Sequence, residues 1–276
     1  MRNYKDAPFY VKALYWSMHC TQTVEMVSTL NRRIFYTNSY HLHSIREMFE
    51  LGKTLIDTSD PDAQFPQSIH WIQTALRALE AKEGSSTITA AFIHDMGKVA
   101  LHYFHGITGP FNWGDTFIVG CRHDVDAIET VDAAPGAFEL NPDSTHELYS
   151  TSSGMYEEGC GLDKLVASFG HDEAIYQCVI RNTGKFKQDL PQADLDFLRW
   201  HSCYPIHTGT HKKKVGYEHL LAPGDLERMK IVKDRCRFDL YSKKIVVDPE
   251  GELYSRSGEI FEHIDQFIDP STKLCW

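Results

Sequence analysis

The chain has 276 residues, enough for one large domain or two small ones around a buried core. Hydrophobic residues make up 42% of the chain and charged residues 24%, proportions typical of a soluble globular protein, which argues against a disordered or fibrous one. The formal net charge of −10 argues against a nucleic-acid-binding protein, since such proteins usually carry a basic surplus.

Membrane insertion and disulfide bonding are also disfavoured by the sequence. No apolar run approaches the roughly 20 residues needed to cross a bilayer. The first ten residues lack the apolar centre of a signal peptide. The seven cysteines are scattered and include no Cys-x-x-Cys pair. We therefore expect a cytoplasmic protein with reduced thiols, no membrane partner and no zinc–thiolate site.

Helical periodicity dominates the first hundred residues. Apolar residues at steps of three and four predict an amphipathic helix over residues 10–30 and a second over 45–55. The same pattern predicts a third helix over residues 69–79 and a fourth over 88–99. The amino-terminal part is therefore expected to be helical.

The periodicity then disappears for almost fifty residues. Residues 106–153 are rich in Gly, Pro, Asn and Asp, which predicts a long loop region of the kind that usually has a function. Helical patterns return around residues 162–182, 193–201 and 225–237.

The carboxy-terminal part differs from the rest. Two short strand-like pieces flank the turn sequence at 248–251, which predicts a small β-hairpin over 243–254 before a last helix at 260–267. The whole pattern predicts a mainly α, compact single domain over residues 1–276, with long loops and a small C-terminal β-hairpin.

An adjacent pair of polar residues stands out within the fourth predicted helix. His94 and Asp95 lie in the apolar sequence AAFIHDMGKVA. Adjacent polar residues on a buried helix cost free energy unless they are paired or bound to a metal ion. The pair alone leaves both interpretations open, a metal site or an imidazole–carboxylate contact between two helices.

Four more residues extend the metal interpretation, because each lies among apolar residues on a predicted helix: His70, His171, His201 and Asp239. Four imidazoles and two carboxylates from separate helices are typical of the dinuclear metal sites that helix bundles build. Nitrogen and oxygen donors without thiolate suit iron, manganese, cobalt or zinc.

Several sequence motifs occur in a specific order along nearly the whole chain. They are RNY at 2–4, DTSDPD at 57–62, HDMGK at 94–98, GDTF at 114–117, GCGLD at 159–163, GHDE at 170–173, HSCYPIHTG at 201–209 and FDLYSK at 238–243. HDxGK alone is a weak signal, but the complete series resembles the myo-inositol oxygenase family of the HD-domain superfamily.

The resemblance implies a compact, mostly helical fold and a mixed-valent Fe(II)/Fe(III) pair as cofactor. The implied ligands are divided between the two irons: His70, His94 and Asp239 on one, His171 and His201 on the other, with Asp95 bridging both.

The resemblance also implies an activity, the four-electron, ring-opening oxidation of myo-inositol by O2 to D-glucuronate. It gives catalytic roles to Asp95 and Lys98. The implied substrate-binding residues are Arg2, Asp57, Lys98, Gly114, Asp115, Ser202 and Lys243. Tyr15 matches a lid tyrosine of the family.

Three alternatives compete with this interpretation. An HD-domain phosphohydrolase would use a metal-bound hydroxide and need cations for the phosphate, whereas Asp57 and Asp115 would repel it. An organophosphonate oxygenase with the same ligand pattern meets the same objection. A catalytically silent binding module is the third. The sequence leaves the oligomeric state open, with a monomer as one option, and myo-inositol is the expected partner.

Overall fold

The computed structural model describes residues 4–37, 41–59, 65–111, 114–209, 215–242 and 251–276. Within these ranges the chain forms α-helices and two short strands. The helices are α1 (Phe9–Thr21), α2 (Val24–Thr37), α3 (Ile45–Gly52), α4 (Gln67–Glu80), α5 (Ser85–Ile93), α6 (Met96–Tyr103), α7 (His171–Arg181), α8 (Gln192–Trp200), α9 (Tyr204–His207), α10 (Asp225–Ser242), α11 (Glu252–Ser255) and α12 (Ser257–Phe267). The expected mainly α fold is confirmed.

The first predicted helix is two helices in the structure, so a continuous helix over residues 10–30 is wrong. Helix α1 ends at Thr21, and the chain turns at Gln22 before α2 begins at Val24. The Gln22 side-chain amide donates to the Phe169 carbonyl oxygen at 2.8 Å and accepts from the Phe169 N–H at 2.9 Å. This buried pair of hydrogen bonds ties the turn to the segment that precedes α7.

The fourth predicted helix is also interrupted, and the interruption falls at the polar pair. Helix α5 ends at Ile93 and α6 begins at Met96. Asp95 has φ −98° and ψ 2°, outside the helical range, and its carbonyl oxygen accepts from the Lys98 N–H at 3.0 Å. Because the helix breaks here, the two side chains are not held at the fixed helical angle.

The long segment between α6 and α7 contains no α-helix in its described residues and consists of loops and short 3₁₀ turns. Its apolar residues Phe117, Ile128 and Phe138 are buried against Val11 and Met18 of α1. The expected loop region is therefore an ordered layer that covers the first helix pair.

A small antiparallel sheet lies near the C terminus, as expected, but its strands come from different parts of the chain. Strand β1 (Leu42–His43) pairs with β2 (Leu274–Cys275), with Leu42 opposite Cys275. Of the predicted hairpin, residues 243–250 lie outside the described ranges. Residues 252–254 belong to α11, so the second arm of that hairpin is helical.

The larger cluster of buried apolar residues is built by helices α3 to α10 together with α12. Its largest fully buried side chains include Trp71, Phe92, Phe197 and Trp200. No described helix combines the length and the apolar character that crossing a membrane would require. The single domain predicted for residues 1–276 stays a prediction.

Candidate active site

The structure brings the six candidate metal ligands together in the interior. Each is at most 2% exposed. They come from five places: His70 from α4, His94 and Asp95 from the junction of α5 and α6, His171 from the start of α7, His201 from the end of α8, and Asp239 from α10.

The Asp95 carboxylate stands at the centre of this group, and its two oxygens face different histidines. Oδ1 lies 3.0 Å from the Nε2 atom of His171 and 3.5 Å from that of His201. Oδ2 lies 3.5 Å from Nε2 of His70 and 3.6 Å from that of His94. One carboxylate therefore belongs to two groups that could each hold a metal ion.

Asp239 adds a second carboxylate to only one of these groups. Its Oδ1 atom lies 2.9 Å from His70 Nε2 and 3.9 Å from His94 Nε2. In the other group, the Nε2 atoms of His171 and His201 lie 3.1 Å apart. We call these the first group (His70, His94, Asp239) and the second group (His171, His201).

Backbone carbonyls orient two of the rings. His94 Nδ1 lies 2.8 Å from the Ala91 carbonyl oxygen and His201 Nδ1 lies 3.1 Å from that of Leu198. A carbonyl only accepts, so each Nδ1 carries a proton, and in the neutral ring Nε2 keeps its lone pair.

The surroundings of His94 Nε2 show whether the six candidate ligands suit a metal ion. His94 Nε2 is buried without a hydrogen-bond partner among the described residues, and its lone pair faces carboxylate oxygens of Asp95 and Asp239. Lone pairs that face one another in a dry interior repel unless a cation lies between them. The donor set therefore fits a hard or intermediate cation such as iron.

Asp95 and His94 are held in the protonation states that a metal ligand needs. Burial by itself would raise the pKa of Asp95, but the Lys98 ammonium and the nearby imidazoles hold it well below its usual range. Burial lowers the pKa of His94 to about 3. At His201 burial opposes the charged form, yet Asp95 raises its pKa, so a metal ion bound at Nε2 would have to displace a proton.

A small polar cavity opens directly beside the two groups. Its other lining residues are Asp57, Ser59, Lys98, Gly114, Asp115, Ser202 and Tyr204. Five of these were predicted as substrate-binding residues, and the structure places all five at the cavity. The side chain of Ser202 also contacts the second group, with its Oγ atom 3.1 Å from His171 Nε2.

Lys98 is the buried cation of this cavity. Its Nζ atom donates to Asp57 Oδ2 at 2.7 Å, to Asp95 Oδ2 at 2.9 Å and to Gln67 Oε1 at 3.4 Å. Burial would lower the pKa of Lys98, but the two carboxylates raise it. The lysine therefore stays charged between the candidate metal site and the cavity.

Asp57 is held ionised on the opposite side of that lysine. Its Oδ1 atom accepts from the Ser59 N–H at 2.8 Å and from the Ser59 hydroxyl at 2.7 Å. Burial by itself would raise the pKa of Asp57, but Lys98 and these hydrogen bonds lower it to about 2.

Two predicted substrate-binding residues, Arg2 and Lys243, lie outside the described residues. Tyr15, the candidate lid residue, is buried beside the cavity, where a Cβ at Gly114 would lie 3.0 Å from its ring.

Sequence reasoning missed two residues that line the cavity, Ser59 and Tyr204, and one residue that contacts Lys98, Gln67. Ser59 follows Asp57 by two residues, a spacing typical of a turn in which an aspartate accepts from the second residue ahead, so this signal was present. Tyr204 was visible only as part of a longer motif. Gln67 carried no signal, since its contact with Lys98 spans 31 positions.

Comparison with known proteins identifies the family of this chain. The family model described as myo-inositol oxygenase matches residues 9–269. Inositol oxygenase of Homo sapiens is 36% identical over 248 residues, which cover 88% of this chain and 80% of that protein. Inositol oxygenase 1 of Arabidopsis thaliana is 37% identical over 241 residues, which cover 86% and 72% of the two chains. This chain belongs to the myo-inositol oxygenase family.

Proposed function

We propose that this protein is an inositol oxygenase that uses O2 to open the ring of myo-inositol and form D-glucuronate. Its cofactor would be a mixed-valent Fe(II)/Fe(III) pair. The observation that carries the proposal is the Asp95 carboxylate, whose two oxygens face two separate histidine groups in a dry interior. A carboxylate placed between two groups of histidines can bridge two neighbouring cations, as in the dinuclear sites of helix bundles.

The first group, with Asp239, would hold one iron, and the second group would hold the other, with Asp95 between them. When bound, the two irons supply Lewis acidity toward a substrate hydroxyl and electrons toward O2. The hydrogen bonds from His94 and His201 to backbone carbonyls keep both Nε2 lone pairs aimed at the metal positions.

The cavity residues have the chemistry that a cyclic polyol requires. A sugar alcohol carries a hydroxyl on every ring carbon, and each hydroxyl buried without a partner costs about 1–3 kcal/mol. The carboxylates of Asp57 and Asp115 and the hydroxyl of Ser202 line the cavity and can accept or donate such bonds. Lys98 holds Asp57 and Asp95 in fixed positions, which orients the substrate relative to the metal site.

The same cavity suits a phosphate ester poorly. Asp57, Asp95 and Asp115 bring negative charge to it, and the ammonium of Lys98 already contacts two carboxylates. Away from the metal positions, an anionic substrate would therefore meet like charge. This disfavours the phosphohydrolase and the organophosphonate oxygenase.

The setting of the enzyme is also a proposal. All seven cysteines are free thiols, which supports a reducing, cytoplasmic compartment. All six candidate ligands come from one chain, which supports activity as a monomer. The His94-Asp95 pair, with its histidine partners on other helices, supports membership of the HD-domain superfamily.

The proposal is tested by activity and metal content together. Protein reconstituted anaerobically with Fe(II) is supplied with myo-inositol and O2, and we expect glucuronate with one O2 consumed for each inositol. Parallel reactions contain p-nitrophenyl phosphate, and phosphate release without glucuronate would overturn the proposal. His171→Ala should lose both turnover and one metal ion per chain. His123→Phe, which changes a buried histidine outside the site, is the control and should retain both.

A further inference from the structure

A largely buried ion pair connects the two helices that carry the second group. Glu173 lies two residues after His171 at the start of α7, and Arg199 lies two residues before His201 at the end of α8. The Arg199 Nε–H donates to Glu173 Oε2 at 2.9 Å. The pair therefore spans α7 and α8 at nearly the same level as the two histidines.

Both side chains are held in one geometry by further contacts. The other carboxylate oxygen of Glu173 accepts from the Gln177 side chain at 2.6 Å, one turn further along α7. The Arg199 guanidinium lies over the rings of Tyr176 at 4.7 Å and Trp200 at 4.9 Å. The exposed fractions of the two side chains are 16% for Arg199 and 11% for Glu173.

Because the Glu173–Arg199 pair has little contact with solvent, its two charges must lie close together. A buried charge is retained only when its partner is well placed, so the distance between α7 and α8 at this level is narrowly defined. His171 and His201 stand at the same ends of those helices, and their Nε2 atoms are 3.1 Å apart. The helices of the first group, α4, α5 and α10, contribute neither member of the ion pair.

We infer that Glu173 and Arg199 are positioning residues that set the spacing of His171 and His201, and so the affinity of the second group for its metal ion. This inference rests on the proposed function, because it assumes that the two histidines bind a metal. Neither residue lines the cavity, so their effect on the reaction would pass through the metal.

The test measures metal retention rather than turnover. Arg199→Met removes the positive charge and the hydrogen-bond donors while keeping a long side chain. Glu173→Gln removes the partner's negative charge. Arg199→Lys keeps the positive charge but lacks the planar guanidinium group. Arg228→Met is the matched control, because Arg228 also pairs with an α8 carboxylate, Asp196 at 2.8 Å, but joins α8 to α10. Each protein is loaded anaerobically with Fe(II) and dialysed against a graded chelator, and iron per chain is counted.

We expect wild type and Arg228→Met to retain two irons over the same range of chelator. Arg199→Met and Glu173→Gln should lose one iron at about 10- to 100-fold lower chelator and keep the other, with Arg199→Lys between them. In samples then brought to the Fe(II)/Fe(III) state by brief exposure to O2, the paramagnetic signal of the coupled pair should disappear in step with that loss, and a purely structural role would not produce such a selective change.

Other results would count against the inference. It is overturned if Arg199→Met and Glu173→Gln both hold two irons as tightly as wild type. It is overturned as well if both irons are lost together, or if Arg228→Met shows the same loss. If the wild-type protein itself binds no pair of irons, the proposed function fails, which is a distinguishable result.

Discussion

Gly97 of α6 packs directly on the backbone of His171 at the start of α7. A Cβ atom at position 97 would lie 2.8 Å from the His171 carbonyl carbon and still closer to its oxygen. Only a glycine lets α6 approach α7 this closely, and Asp95, two residues earlier, thereby reaches His171 at 3.0 Å. The glycine of the HDMGK sequence is therefore part of how the site is assembled.

Gly97→Ala should separate α6 from α7 and weaken the second group. The obstacle is backbone, so the helices must move, and overpacking of this kind costs about 1–3 kcal/mol of stability. We expect a lower urea midpoint and loss of one iron per chain. Gly258→Ala on α12 is the control, because a Cβ there meets nothing within 4 Å and should leave both measurements unchanged or slightly improved. Two irons retained by Gly97→Ala would contradict the prediction.

Lys98→Met should destabilise the metal-free protein strongly. Lys98 lies between two buried carboxylates, Asp57 and Asp95, and its removal leaves their charges uncompensated. Breaking a buried pair in this way costs about 3–5 kcal/mol. Lys53→Met is the matched control, because Lys53 pairs with the exposed Glu50 and should cost less than about 1 kcal/mol. Urea unfolding of both metal-free variants measures the difference, and equal losses would refute the prediction.

Asp57→Asn should weaken substrate binding while leaving the metal site filled. The asparagine keeps the shape of the side chain but removes the charge that faces the cavity and Lys98. A hydrogen bond to a charged group contributes about 1.5–3 kcal/mol, so the dissociation constant for myo-inositol should rise by about 10- to 100-fold. Calorimetric titration under anaerobic conditions measures this constant. An unchanged constant, with two irons bound, would remove Asp57 from the substrate site.

Acid should destabilise the fold through two histidines that are not among the candidate metal ligands. Burial lowers the pKa of His19 to about 3, with a contribution from the nearby His123. Burial lowers the pKa of His123 to about 4. Both pack against the ring of Phe138, with centroid distances of 4.1 Å and 4.5 Å. In the unfolded chain a histidine binds a proton near pH 6.5, whereas these two buried rings resist protonation until a lower pH. The free energy of unfolding is therefore unaffected by them above pH 6.5 and falls as the pH drops toward 4.

His123→Phe should reduce this acid sensitivity. The variant removes one titrating ring of similar size, so it should lose about 2 kcal/mol less stability than wild type between pH 7 and pH 5. Urea unfolding at the two pH values gives the comparison. His146→Phe changes an exposed histidine and should follow the wild-type pH dependence. If His123→Phe follows it too, His123 is not the acid-sensitive group.

Much of the candidate site could be predicted from the sequence because its signals are local. His70, His94 and His171 each interrupt an apolar helical pattern, and the order of the surrounding motifs indicated the family. The helical class followed from apolar periodicity in the same way. These inferences depend only on residue types and on short spacings along the chain.

The errors have a common cause, which is contact between distant parts of the chain. The break after α1 depends on hydrogen bonds between Gln22 and Phe169, which are 147 positions apart. The sheet pairs residues near 42 with residues near 274, so no local turn could indicate it. The break at Asp95 places its carboxylate between α4, α7 and α8, where both of its oxygens meet histidines.

The amino-acid sequence by itself therefore determined the helical class, the six candidate ligands and the family of this protein. Only the tertiary structure decided which oxygen of Asp95 faces which histidines, how closely Gly97 lets α6 approach α7, and that Glu173 and Arg199 join the helices of the second group. Periodicity and motifs record each residue's own preferences, whereas these distances arise only when helices far apart in the chain pack together and exclude water.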